Sequence, residues 1–132
     1  MMIRSLAGIA ALAMCTAALG QETYTVEGMA TVRDNETARF FPNSVRESGG
    51  QRLFEVVIRN ADPEDIPPGG TASRKITYRA KCDSKEMSIS VIALRNVKGQ
   101  TTKAIAVPPG AEEYFRPAPA TREDDWLYRV CG

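Results

Sequence analysis

Two cysteines limit the fold of this chain more than any other feature, because its first twenty residues change what those cysteines can be. Residues 1–20 have the layout of a secretory signal peptide. Arg4 supplies a positive start, Leu6 to Leu19 form an apolar stretch without charge, and Ala18-Leu19-Gly20 offers small residues where a signal peptidase cuts. The apolar stretch is shorter than the roughly 20 residues a bilayer span needs, and no second one follows, so no transmembrane segment is expected in the mature chain. Cleavage after Gly20 discards Cys15 and leaves Cys82 and Cys131. In an oxidising compartment such a pair is expected to be a disulfide. A tetrahedral zinc site would need four ligands, and the chain has no histidine to complete one, so neither a metal nor another cofactor is expected. Closing a loop of about 50 residues is worth about 4 kcal/mol in the chain-entropy treatment, a large share of the 5–15 kcal/mol by which small domains are usually stable.

A different export route is written faintly in Leu12-Ala13-Met14-Cys15, which has the outline of a lipobox. The bulky Met14 stands where a small residue is normal, and apolar residues follow Cys15 where a polar tether is usual. A lipid anchor through Cys15 is therefore the poorer reading. The expected address is the periplasm, the outer envelope or the medium.

The expected mature chain, residues 21–132, has 132 − 20 = 112 residues, the length of one domain. Losing Arg4 leaves sixteen basic residues against sixteen acidic ones. A neutral domain has no overall field to draw it to nucleic acid or anionic lipid, so nucleic acid is not an expected partner and any electrostatic binding must come from a local patch.

Alternation at period two dominates this chain, as in half-buried strands. From Arg74 to Cys82, Ile76, Tyr78, Ala80 and Cys82 fall on one side, and Lys75, Thr77, Arg79 and Lys81 on the other. The turn Asp83-Ser84-Lys85 joins this strand to Glu86–Arg95, an antiparallel hairpin with Met87, Ile89, Val91 and Ala93 on one face. Gln51–Asn60, after the turn Ser48-Gly49-Gly50, places Phe54, Val56 and Ile58 together. Further strands are expected at Tyr24–Arg33, at Thr37–Phe41 and at Thr101–Val107, about six in all. Residues 61–70, with Pro63, Pro67, Pro68 and two glycines, read as an exposed loop.

Four prolines between Val107 and Ala120 exclude regular structure over most of that stretch. Thr121-Arg122-Glu123-Asp124 then reads as a helix start, with a capping threonine and acids in the first turn. Trp126, Leu127, Val130 and Cys131 share one face of a ten-residue helix too short to stand alone. The expected fold is α+β: a curved antiparallel sheet of about six strands, with the C-terminal helix tied across its core side by Cys82–Cys131.

In order along the chain come Phe41-Pro42-Asn43-Ser44-Val45 before a Gly-Gly turn, Cys82-Asp83 at a strand end, Val107-Pro108-Pro109-Gly110-Ala111-Glu112, and a terminal Val130-Cys131. In these features the sequence resembles the surface-adhesin protein E-like family of Gram-negative bacteria. The resemblance implies a six-stranded antiparallel sheet whose C-terminal helix is tied by a disulfide, and of the family's residues only Cys82 and Cys131 carry over. It also implies adhesin-like binding of host matrix and plasma proteins, and permits a homodimer.

Candidate chemistry is sparse. Without histidine the Ser-His and Cys-His nucleophile pairs are impossible. Glu112-Glu113 and Glu123-Asp124-Asp125 are the acidic clusters on which a small exported hydrolase would have to rely, but adjacency in sequence and a helix start account for them. Trp126 belongs to the apolar stripe of its helix. The positive feature is the basic face of Lys75, Arg79 and Lys81, suited to a polyanion or to an acidic patch on a protein. The sequence therefore reads as a non-catalytic exported protein that works by binding. A small hydrolase, or an inhibitor of an exported hydrolase, is the competing class.

Overall fold

The computed structural model describes residues 26–132. The expected signal peptide of residues 1–20, Cys15, and Tyr24 and Thr25 of the expected first strand lie outside the described residues. Five strands follow one another both in the chain and in the sheet: β1 (Glu36–Ser48), β2 (Gln51–Asn60), β3 (Ser73–Lys81), β4 (Glu86–Arg95) and β5 (Thr101–Ala106), each antiparallel to its neighbour. Ser48 pairs with Gln51 across a two-residue turn, and Gly49 and Gly50 both take positive φ (60° and 81°), the geometry whose twist matches that of the flanking strands. The β3–β4 turn likewise puts Lys85 at φ 60°. The 61–72 connection is an exposed loop holding one 3₁₀ turn, Pro63–Asp65.

One face of this open sheet carries the core. Phe54, Val56 and Ile58 of β2 and Ile76, Tyr78 and Ala80 of β3 are buried there, as their alternation requires. Helix α2 (Arg122–Cys131) lies on the same face and buries Trp126, Leu127 and Val130, each worth about 1.5–3 kcal/mol relative to exposure. A series of rings runs across the face: Phe40 edge-on to Phe54 at 5.7 Å, Phe54 stacked on Tyr78 at 5.3 Å, and Tyr78 against Trp126 at 6.0 Å. The ends of α2 are as the sequence suggests: the Thr121 hydroxyl accepts from the Asp124 N–H at 3.2 Å, and Gly132 closes the C-terminus by donating to the Tyr128 carbonyl. From the sheet, Arg52 donates to the Val130 carbonyl at 2.6 Å. Beside it Cys82, just past β3, is bonded to Cys131 with the Cα atoms 5.4 Å apart.

Three expectations need correction. The segment expected as a strand at Tyr24–Arg33 holds a helix, α1 (Val26–Ala30), so the sheet has five strands. Val26, Met29 and Ala30, at i, i+3 and i+4, turn one side of that helix onto the core. The segment lies across the inner face rather than along a sheet edge, so a strand there would have no ladder to join. Next, the expected short strand at Thr37–Phe41 runs on to Ser48. Its pairing is interrupted between Phe41 and Arg46, where Pro42 offers no N–H and Ser44 fills in, its hydroxyl accepting from the Glu55 N–H at 2.8 Å and donating to the Phe41 carbonyl at 2.6 Å. Last, Met87, Ile89, Val91 and Ala93 do not share a face. Tyr78 pairs with Ile89 and Thr77 with Val91, leaving Ser90 as the extra residue of a bulge. Beyond it Ile92 points inward and Val91 and Ala93 outward.

Arg74 and Glu36 form an ion pair at the end of the core opposite the disulfide, with side chains only 9% and 7% exposed. Two parallel bonds of 2.7 and 2.9 Å join them, Arg74 also donates to the Thr31 carbonyl at 3.0 Å, and Glu36 accepts from the Arg33 N–H at 2.9 Å. This fork ties the chain leaving α1 to β1 and β3. Hydrogen bonding from Arg74, assisted by the Arg33 N–H, holds the Glu36 carboxyl below its ordinary value of 4.5 despite its burial.

Two outcomes follow. Replacing Cys82 and Cys131 together by serine should cost about 3–4 kcal/mol in urea unfolding. The same variant should shift the emission of Trp126, the single tryptophan, to the red as α2 loosens; unchanged emission and midpoint would refute the staple. Glu36→Ala, which strands a buried guanidinium, should cost about 3–5 kcal/mol. Because the folded pKa of Glu36 lies below the unfolded one, its contribution is complete above the unfolded value and is lost as pH falls through the folded value. The wild type should therefore lose stability on acidification more steeply than Glu36→Gln.

Candidate functional site

Among the described residues no helix lies on the sheet's second face, and the strand register decides what it presents. Arg59 of β2 lies opposite Thr37 and Ser73, and Ser73 lies opposite Arg95. In the next row Arg39, Val57, Lys75 and Ala93 stand side by side across β1 to β4. Then come Phe41, Glu55, Thr77 and Val91, and finally Arg46, Leu53, Arg79 and Ser88, with Lys81 opposite Glu86 at the hairpin end. Seven cations (Arg39, Arg46, Arg59, Lys75, Arg79, Lys81 and Arg95) thus share a face with the carboxylates of Glu55 and Glu86. The apolar atoms between them are low: Leu53 and Val57 are buried, and Arg39 lies over the Phe41 ring at 4.9 Å. Among the described residues the exposed large apolar side chains are Val97, Phe115 and Tyr128, none in these rows.

The three basic residues singled out from the sequence stand on this face but in different settings. Lys75 is central and reaches Glu55 at 3.4 Å, a carboxylate that Arg46 approaches from its other side at 3.7 Å. Arg79, four residues further and so about 13 Å along the strand, donates to the Gln51 carbonyl oxygen at 3.4 Å. The Lys81 ammonium sits 3.8 Å from the centre of the Tyr114 ring. Arg39, Arg46, Arg59 and Arg95 come from three other strands. The alternation of each strand holds the signal that they belong here, but only the register brings them beside Lys75.

Tyr114 belongs to an arm formed by the Pro-rich stretch. Val107 donates to the Ser90 carbonyl at 2.9 Å, and Phe115 exchanges two 2.9 Å bonds with Met87, so residues 108–114 bow out between two anchors on the edge of β4. Phe115 falls on the inner side with Met87. Tyr114 falls on the outer side over Lys81, its hydroxyl accepting from the Gln51 amide at 3.0 Å. The Glu112 carboxyl is held below its ordinary range by its own N–H and that of Gly110, with help from the positive charges of Arg79 and Lys81. At this end the basic face is roofed by the protein's own chain.

The acidic clusters do not assemble into a site. Glu112 bonds the Gly110 N–H, and Asp124 bonds that of Ala120 at the start of α2. Asp125 pairs with Arg129 one helical turn on. Burial and the nearby Glu123 carboxylate hold the Tyr78 phenol well above its ordinary value, so it stays neutral. Among the described residues no group of three or more Cys, Asp or Glu side chains is arranged to hold a metal ion, and no helix is long and apolar enough to cross a membrane. A cleft of ≈ 430 Å³ between α1 and the start of α2, floored by Tyr78 and Ile89, opens on the inner side, away from the cations. No protein-family model matches this chain, and comparison with curated proteins and with solved structures likewise returns no match.

The contact between the arm and the strand can be measured. A double-mutant cycle on Lys81→Ala and Tyr114→Leu, read by urea unfolding, should return a coupling of about 0.5–1 kcal/mol. A coupling of zero would mean the arm does not rest on β3.

Proposed function

We propose that this chain is an exported, non-catalytic binding protein that docks a polyanion on the outer face of its sheet. The observation carrying this reading is the register, which collects seven cations against two carboxylates on the face that no helix of the described residues covers. Such a face exerts a local field although the mature chain as a whole is neutral. A linear chain of sulfate, phosphate or carboxylate groups suits it better than a protein patch. A stable protein interface needs aromatic or aliphatic anchors near its centre, and here Leu53 and Val57 are buried. The sheet is held stiff by the disulfide and by the Arg74–Glu36 fork, so little ordering cost is added on binding. Adhesin-like attachment, suggested by the resemblance to the protein E-like family, would be the cellular form of this activity, with acidic polysaccharide as the contact chemistry.

Heparin titrated by calorimetry at low and moderate salt is the direct test. Binding should weaken steeply with salt, and the triple reversal Arg39→Glu, Arg59→Glu, Lys75→Glu should weaken it at least about tenfold, each exposed pair being worth up to about 1 kcal/mol. Salt-insensitive binding, or no response to the triple reversal, would discard the reading. Loss of heparin binding together with retention of an acidic protein partner would reassign the face to protein recognition.

A further inference from the structure

The roofed end of the basic face holds two polar groups that the chain leaves unused. Arg79 Nε and Ser88 Oγ are buried, and neither has a hydrogen-bond partner. They belong to residues directly opposite each other on β3 and β4, and Ser88 is wholly inaccessible. Leaving a buried donor unmatched costs about 1–3 kcal/mol, so two side by side under one lid call for a partner. Beside them stand the cations of the hairpin end, with the Glu86 carboxylate opposite Lys81. Lys81 lies against Tyr114, Arg79 Nη1 makes a long 3.4 Å bond to the Gln51 side-chain oxygen, and the arm's own acid, Glu112, bonds the Gly110 N–H and feels the positive charge of both cations.

The geometry points to an anion subsite beneath Tyr114, in which one sulfate, phosphate or carboxylate group of a bound polyanion accepts from Arg79 Nε and Ser88 Oγ beside Lys81, with the 108–114 arm as its lid and Glu112 as the internal competitor. The arm suits that role. Its backbone is bonded to β4 at Val107 and Phe115, and Gly110 at φ 87° provides a residue able to change conformation between them. Tyr114 holds its place through one hydrogen bond from Gln51 and its contact with the Lys81 ammonium. An incoming anion would satisfy that ammonium in its stead.

This inference rests on the polyanion reading of the outer face, and the test keeps the two apart. Heparin and inorganic sulfate are titrated into the disulfide-bonded chain and into three variants. Ser88→Ala removes an unpartnered group, so it should unfold no more easily than wild type, yet bind heparin about tenfold more weakly. Arg79→Lys, which keeps the charge but loses the Nε donor, should behave alike. Glu112→Gln should bind about threefold more tightly, because a competing charge is gone. In wild type, sulfate should shift the NMR signals of the Arg79 side-chain N–H and of Tyr114. The inference falls if heparin binds and responds to the Arg39, Arg59 and Lys75 reversals while Ser88→Ala and Glu112→Gln stay within twofold of wild type. If heparin does not bind at all, the parent reading fails. The subsite then stands or falls on sulfate alone, and unmoved Arg79 and Tyr114 signals would overturn it.

Discussion

The Cys82–Cys131 bond is the constraint on which the rest of this structure leans. A five-stranded open sheet with one apolar face cannot keep that face in water, and the described residues offer two short α-helices to cover it. Neither has the length to be stable by itself. The bond fixes α2 at its last residue, Arg52 holds the neighbouring carbonyl, and Trp126, Leu127 and Val130 are thereby kept against Tyr78 and the rings beyond it. The cross-link acts where the sheet contributes least, past the end of β3, at a turn.

At the other end of the core a polar device does comparable work. Arg74 stands at an inward position and would be an expensive choice without a partner. Glu36 meets it with two bonds, and Thr31 and Arg33 close the set with backbone groups. α1 is therefore held by the residues that follow it as well as by its own apolar side. Between the staple and the fork, the inner face is closed at both ends, which leaves the outer face as the surface with chemistry to spare.

That outer face also shows how a chain of net charge +1 can present a strongly charged surface. Its cations come from four strands and are brought abreast by pairing, while acidic residues are spent on helix caps, on the exposed loop and on the arm. Leu53 and Val57 are buried within these rows, and Arg39 lies over the Phe41 ring, so this face exposes few apolar atoms. Where the arm crosses, the protein places its own Tyr114 ring on the Lys81 ammonium.

Local pattern was enough to determine much of this. The period of two in β2 and β3, the Gly-Gly turn, the capped final helix and the Cys82–Cys131 pair depend on residues near one another or on simple counting, and the structure has them where they were expected. Strand existence needs only alternation, whereas strand faces need register. For that reason Lys75, Arg79 and Lys81 could be placed on one side of their strand but not beside Arg39, Arg59 and Arg95. Val26–Ala30 alternates as well as a strand does and also repeats as a helix does; only its position across the core, away from a sheet edge, decided between them. The bulge at Ser90 has no signature of its own in the sequence, because one extra residue is invisible until two strands are laid together. The arm over Arg79 and Lys81 likewise became visible only in three dimensions. Prolines foretold irregular structure from Val107 to Ala120, but where that stretch rests was set by Met87, Ser90 and Gln51, residues far from it in the chain.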